Sequence, residues 1–467
     1  MHFKISESSV SFGTSGVRAL VSELDSKTCY AFTTAFLKSI GSTSKIVIGH
    51  DLRPSSPAIT AHVYQACNDN NVEVIYVGAA PTPAIAYIAS QLGLPAIVIT
   101  GSHIPFDRNG IKFYTAIGEI TKAEENLILQ SDVNIPDQLD EVILPVPDIQ
   151  ASLSFANRYT EFFPNDLCVG LRVGVYEHSS VARDLLKSLF ESFGATVISL
   201  GRSNSFVPID TEAVRQEDVE SAREWVVKYN LDMLVSTDGD ADRPLIADEN
   251  GRWLRGDVVG ALTAIALELD DVVVPVSCNS LIELSGYFKS VLRTKIGSPF
   301  VIEGMKSSSG KVGGFEANGG FLLGSDIVKD GKQLFALPTR DAVLPMLALL
   351  SLAKDKGMPL SGLISLLPDR FTASNRLQEI DSIKSNQLLT NIRSGTLPIH
   401  HVVPESLGLP VSECNIDGLR ITFESSDIVH LRQSGNAPEL RCYTESDTEN
   451  KAHQLCEYVL HSLKNLL

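Results

Sequence analysis

Asp238, Asp240 and Asp242 stand at alternate positions in DGDADRP, directly after the apolar run LDMLVST (231–237). Alternate side chains of an extended chain leave it on one side, so these carboxylates can converge on one hard divalent cation. A solvated acidic turn is the plainer reading of the same residues. A calcium loop is a third: counted from Asp238, the twelfth position is Glu249, as an EF-hand requires. The sixth position, however, is Arg243 where glycine is needed, and the flanks have the pattern of strands rather than helices.

A second cluster lies in VITGSHIPFDRNGIK (98–112). Ser102 follows an apolar strand and Gly101, a place from which a hydroxyl can project into a cleft, with His103 beside it and Lys112 further on. Side chains adjacent in sequence usually diverge and the GxSxG elbow is absent, so Ser102 and His103 are not read as part of a hydrolase triad. Asp107 and Arg108 read as loop surface. In HLRQSGNAPELR (430–441), Arg432, Ser434, Gly435 and Asn436 offer the bidentate and amide donors that a phosphate dianion needs, or else form a polar hairpin turn. SFGTSGVRA places Arg18 in a glycine-rich turn. GMKSSSGK (304–311) has five residues between its glycines, and Val312 follows the lysine, so it is no Walker loop.

The elements that must carry these loops are legible as a repeat. Apolar β-branched runs alternate with helix-length segments in three sets, which predicts βαβ units with mainly parallel sheets. The first set is KIVIGHD, VEVIYVG and PAIVIT, and the second LRVGVYEH, ATVISLG and LDMLVST. The third and weaker set is DVVVPVS, LRTKIG and KVGGFEA. The richest polar cluster follows the third strand each time, and open α/β sheets bind ligands beyond the carboxyl ends of their strands. From about residue 370 short strands precede one helix, on which Ala452, Leu455, Val459, Leu463 and Leu466 recur at helical spacing and predict an apolar face. The expectation is an α/β chain of three similar α/β domains with mixed, mainly parallel sheets plus a C-terminal α+β domain around a central cleft. Its boundaries would be 1–148, 149–255, 256–368 and 369–467.

The 467 residues exceed a single core. A net charge of −17 disfavours nucleic acid or an anionic membrane as partner, so an anionic substrate must be held by local basic residues. The seven cysteines are scattered without a CxxC pair, which predicts reduced thiols. No apolar leader and no run of about 18 apolar residues is found, so a soluble cytoplasmic protein is expected.

Taken together and in order, FGTSGVRA, TGSHIPFDRNGIK, DGDADR, GFEANGG and RQSGNAPELR resemble the signatures of the α-D-phosphohexomutase superfamily, which contains phosphoglucomutases, phosphomannomutases and amino-sugar phosphate mutases. The likeness runs from residue 11 to residue 441. It implies four domains around one cleft, with Ser102 as the phosphoserine and Asp238, Asp240 and Asp242 binding Mg²⁺ together with a phosphoserine oxygen. Arg243 would neutralise charge beside the phosphoserine. Arg18, His103 and Lys112 would assist proton transfer and steady the transferring phosphoryl group. Glu316 and Asn318 would bond the sugar hydroxyls, Lys295 would reach the substrate, and Arg432, Ser434, Gly435 and Asn436 would hold the phosphate that is not reacting.

The sequence departs from the common signatures at several positions. Gly101 replaces the usual alanine and Ile104 the asparagine after Ser-His, while Gly320 stands where many members have histidine. Gln433, Asn436 and Ala437 replace proline, threonine and glutamate in the last loop. The expected activity is transfer of a phosphoryl group between C6 and C1 of a hexose phosphate, through a hexose 1,6-bisphosphate, with mannose 6-phosphate and mannose 1-phosphate as the pair. Glucose phosphates or (N-acetyl)glucosamine phosphates are the alternative substrates, the FEANG loop being similar to the acetylglucosamine-phosphate form. From other classes, a Mg²⁺-dependent phosphohydrolase of the haloacid-dehalogenase type matches only in its first three motif residues, and a calcium- or sugar-phosphate-binding module would show no turnover. A monomer or homodimer is expected.

Overall fold

The computed structural model describes residues 2–13, 15–140, 142–434 and 439–466. The chain forms two compact units, Met1–Leu269 with Gly297–Ile364, and Asp270–Ile296 with Ser365–Leu467.

The first unit contains two mixed α/β sheets. In the larger one the path runs Ser11–Phe12, Val17–Leu20, Arg108–Thr115, Ala96–Ile99, Lys45–His50, Glu73–Ala79. Lys45–His50 pairs in parallel with Glu73–Ala79 and with Ala96–Ile99, while Arg108–Thr115 runs antiparallel to Ala96–Ile99 and to Val17–Leu20. Ile46, Ile48, Ile97 and Ile99 face one apolar layer with Phe32, Phe36 and Phe113, whereas Val47 and Val98 face another with Val77 and Ile85. This two-residue alternation between two covered faces is why the strands read as unbroken apolar runs. Helices Ser26–Ile40 and Ser56–Asp69 contribute to the first layer and Thr82–Leu92 to the second.

The second sheet runs Thr196–Leu200, Arg172–Tyr176, Met233–Thr237, Pro244–Ala247, the first two pairings parallel and the last antiparallel. Val312–Phe315, Phe321–Leu323 and Leu337–Asp341 are linked by antiparallel pairing in the same unit. The sheets are mixed, as expected. The antiparallel strand Arg108–Thr115 carries Asn109 and Lys112 inside the sheet rather than in a loop, and it forms because Ile111 and Phe113 alternate into the core.

In the second unit Asp271–Pro275 pairs in parallel with Ser290–Thr294. A five-stranded antiparallel sheet runs Phe371–Gln378, Glu439–Ser446, Ile428–Gln433, Leu419–Phe423, Pro410–Cys414. Helix Glu449–Leu466 buries Ala452, Leu455, Val459 and Leu463 in this unit's core, as its spacing predicts. Leu466 is the exception, 44% exposed, because the last helical turn runs past the buried stripe. All seven cysteines are free, and among the described residues no helix is long and apolar enough to cross a membrane.

Candidate active site

Ser102 sits just beyond the strand Ala96–Ile99, 1% exposed, with a left-handed φ of 52°. A β-carbon in that region is strained, so the surrounding contacts must hold it there. They are many. Thr100 Oγ1 donates to Asp51 Oδ2 at 2.7 Å and accepts from the Ser102 amide at 2.8 Å. Arg53, itself buried and 3.4 Å from Asp51, donates to the carbonyls of Ser102, Ile104, Pro105 and Arg108 at 2.5–2.9 Å. Its guanidinium lies 3.9 Å from the centre of the Phe206 ring. A Cβ at residue 101 would land on that guanidinium, which accounts for glycine where the resembling motifs carry alanine.

Ser102 Oγ donates to Asp238 Oδ2 at 2.5 Å across 136 residues of chain. Asp238, Asp240 and Asp242 are all buried and each offers a carboxylate oxygen within 4.8 Å of the others. Lys112 Nζ, 1% exposed, bridges Asp240 at 2.6 Å and Asp242 at 2.7 Å, and Thr82 Oγ1 donates to Asp240 at 2.7 Å. Arg340 reaches Asp242 at 2.7 Å, and Arg243 Nε lies 3.6 Å from Asp242 and 3.9 Å from Asp238. Burial opposes charge on all three carboxylates, but the outcome differs. Lys112 holds Asp240 below the ordinary carboxylate range, and Arg340 does the same for Asp242. Asp238 is pushed well above it by burial and by its two acidic neighbours. Oδ1 of Asp240 and Oδ1 of Asp242 have no hydrogen-bond partner among the described residues, although both are buried. Buried anionic oxygens that accept no hydrogen bond, that of Asp242 having only Arg243 Nε at 3.6 Å, fit a divalent cation beside a third carboxylate.

His103 Nδ1 lies 3.3 Å from Ser102 Oγ. The expected divergence of these neighbours does not occur, because the left-handed backbone at Ser102 breaks the extended alternation. Arg243 and then burial press the His103 pKa down to about 3, so the imidazole is neutral at pH 7. Arg18 lies on the strand Val17–Leu20 rather than in a turn, since its residues pair with Gly110 and its neighbours; its Nη1 donates to Thr100 O at 2.6 Å.

Glu316 and Asn318 occupy the loop between Val312–Phe315 and Phe321–Leu323, both buried. Glu316 pairs with Arg340 at 3.1 Å, Asn318 Oδ1 accepts from Gly320 N at 3.0 Å, and Thr211 Oγ1 donates to Asn318 O at 2.7 Å. Lys295, exposed just after the strand Ser290–Thr294, Arg432 and Ser434 belong to the second unit. There Arg432 Nε donates to Asp417 Oδ1 at 2.8 Å and Ser434 N to Glu439 O at 2.9 Å. Gly435 and Asn436 lie outside the described residues. Glu249, the twelfth position of the calcium reading, takes Ser361 as partner, and strands flank the acidic loop, so no EF-hand forms.

Sequence reasoning missed Asp51, Arg53, Thr82 and Arg340. Asp51 and Arg53 follow the carboxyl end of Lys45–His50, the place where ligand-side residues of an open sheet gather, so a signal existed. Arg340, in LPTRDAV, carried none.

Four family models match the chain in order. They are described as phosphoglucomutase/phosphomannomutase, alpha/beta/alpha domain I over residues 9–135, domain II over 157–251 and domain III over 255–371, and the C-terminal domain over 370–462. A phosphomannomutase of Salmonella muenchen is 46% identical over 479 residues, covering 99% of this chain and 97% of its own. A phosphomannomutase of Sinorhizobium fredii is 38% identical, covering 95% and 96%. In fold, the chain resembles the crystal structure of a putative phosphomannomutase from Thermus thermophilus, with a TM-score of 0.77 at 20% identity over 97% of this chain and 99% of that one.

Proposed function

Because this chain belongs to the phosphoglucomutase/phosphomannomutase family, we infer that it interconverts mannose 6-phosphate and mannose 1-phosphate, with Ser102 carrying the transferable phosphoryl group. The observation that carries this reading is the Ser102 hydroxyl, strained into a left-handed turn and bonded to Asp238 inside a buried cluster of carboxylates and cations. The substrate is taken from the two phosphomannomutase relatives.

Asp238, Asp240, Asp242 and Ser102 would hold Mg²⁺, which when bound supplies positive charge to the oxygens of the transferring group. The residues of the chain do the rest. The phosphate on Ser102 passes to the free hydroxyl of the hexose phosphate, which loses its proton as the new P–O bond forms, while the Ser102 Oγ–P bond breaks and Oγ takes up a proton. The hexose 1,6-bisphosphate then turns end for end and returns its other phosphate to Ser102, the sugar O–P bond breaking and its oxygen taking up a proton as the Ser102 Oγ–P bond forms again. In that return the Ser102 proton must leave, and His103, whose Nδ1 lies 3.3 Å from Oγ, is the side chain placed to take it. Lys112 is kept charged: burial opposes this, but Asp240 and Asp242 raise it above its ordinary value, so it acts as a cation and not as a base. Arg243 and Arg18 add positive charge near the same oxygens. Glu316, Asn318 and Lys295 would contact the sugar, and Arg432, Ser434, Gly435 and Asn436 the resting phosphate.

The four family matches run in the order of the proposed domains, 1–148, 149–255, 256–368 and 369–467, and support that division. Free cysteines throughout accord with a cytoplasmic location.

The test is turnover of several hexose 1-phosphates followed by phosphorus NMR, with Ser102→Ala alongside. Conversion of mannose phosphate, stimulation by a hexose 1,6-bisphosphate, phosphate on Ser102 in intact-mass data and loss of all activity in Ser102→Ala are expected. Inorganic phosphate release that survives Ser102→Ala would turn the reading into a phosphohydrolase. Rates on N-acetylglucosamine phosphate with none on mannose phosphate would overturn the substrate.

A further inference from the structure

Arg340 lies on the strand Leu337–Asp341 with its side chain 6% exposed. Its Nη2 donates to Asp242 Oδ2 at 2.7 Å and its Nη1 to Glu316 Oε2 at 3.1 Å. One guanidinium thus ties the carboxylate cluster to the loop 316–320. Burial by itself disfavours a charge here, yet Asp242 and Glu316 outweigh it and hold Arg340 well above the ordinary arginine value. It is a permanent cation.

The loop is shaped to admit this side chain. A Cβ at Gly320 would meet Arg340 Cδ at 2.7 Å, Cγ at 2.9 Å and Cβ at 3.2 Å. Gly320 has no positive φ, so space rather than backbone conformation calls for glycine at this position. The loop closes over the arginine through Glu316 N donating to Gly320 O at 3.3 Å and Gly320 N donating to Asn318 Oδ1 at 3.0 Å.

We propose that Arg340 is a positioning residue that couples the carboxylate cluster to the sugar-binding loop. By holding Asp242 through Oδ2 and Glu316 through Oε2, it leaves Asp242 Oδ1 for the cluster and Glu316 Oε1 for a hexose hydroxyl. The inference rests on the hexose-phosphate reading above. A planar fork can serve two separate carboxylates at once, whereas the point charge of a lysine follows one of them. Without the fork Glu316 is free to turn, and since the same hydroxyls must be recognised in both poses of the sugar, the loss falls on the 1-phosphate and the 6-phosphate alike. KM therefore rises for both substrates more than kcat falls.

The experiment uses Arg340→Lys, Gly320→Ala and their combination. Gly320→Ala keeps the arginine but displaces its guanidinium, and so covers the case in which Arg340→Lys fails to fold. Steady-state kinetics on mannose 1-phosphate and 6-phosphate are paired with calorimetric titration of mannose 6-phosphate into each variant built on Ser102→Ala, where binding is read without turnover. About tenfold weaker binding is expected in each single variant, with the combination no weaker than either, because both remove the same bridge. Binding within about twofold of the parent in both single variants, or losses that add in the combination, overturns the positioning role. Should the unaltered protein turn over and bind no hexose phosphate, the reading beneath it falls instead, and the two failures are told apart by that control.

Discussion

Gly101 and Lys112 show how single side chains set the chemistry of the cluster. The Arg53 guanidinium occupies the space a side chain at 101 would need, so Gly101→Ala has to displace either Arg53 or the Ser102 loop. A loss of ~1–3 kcal/mol in stability is expected from such overpacking, together with loss of phosphate from Ser102. Differential scanning calorimetry and intact-mass measurement check both, and a variant that melts and phosphorylates like the parent would show that the loop does not depend on Arg53. Lys112 is the cation shared by Asp240 and Asp242. Lys112→Met leaves those buried carboxylates short of a partner and should cost about 3–5 kcal/mol without added metal. It also removes a charge that repels Mg²⁺ from the same oxygens. Thermal unfolding with and without Mg²⁺ should therefore show a larger metal-dependent gain in Lys112→Met than in the parent, and an equal or smaller gain would place the cation elsewhere.

At the scale of elements, the serine loop is a hairpin connection between Ala96–Ile99 and Arg108–Thr115, with Val98 paired to Lys112. That register puts Lys112 in the sheet, so its ammonium is aimed by backbone pairing rather than by loop conformation. The segment after the strand Thr196–Leu200 supports two loops at once: Phe206 lies on Arg53, and Thr211 Oγ1 bonds Asn318 O. Phe206→Ala removes a partly buried cation–π contact of ~1–2 kcal/mol from the arginine that holds the serine loop. Hydrogen exchange should then quicken at amides 101–108 and stay unchanged in the strand Arg172–Tyr176. Uniform protection across both segments would mean that Phe206 is only packing.

For the whole molecule, acid is the expected weakness. His178 in the first unit and His430 in the second are buried, and burial lowers each pKa to about 4. His50, His62 and His103 shift in the same sense. An unfolded chain takes up protons near pH 6.5, while the native protein declines them until about pH 4, so the unfolded state binds more protons between those values. Stability is therefore full above about pH 6.5 and falls as the pH drops toward 4, by up to ~1.4 kcal/mol per pH unit for each such histidine. Urea unfolding at pH 7.5 and pH 5 measures this fall, and His178→Gln with His430→Gln should flatten it. The same slope in that double variant would assign the acid sensitivity to other groups.

The α/β class, the order of the motifs, the acidic triad and Ser102 could all be read from local spacing, because strand alternation and short motifs act over a few residues. Thr82 and Arg340 could not, since their decisive partners lie 158 and 98 residues away and an isolated arginine or threonine carries no mark of what it will meet; for Arg53 the strand end marked the place but not its partners, 49 and more residues on. The departures at Gly101 and Gly320 were visible as substitutions, yet their cause, the Arg53 guanidinium against the first and the aliphatic stem of Arg340 against the second, belongs to other strands and loops. The same holds for charge. Three aspartates of one motif look alike in the sequence, and burial together with the particular cations that reach them separates Asp238, raised, from Asp240 and Asp242, lowered.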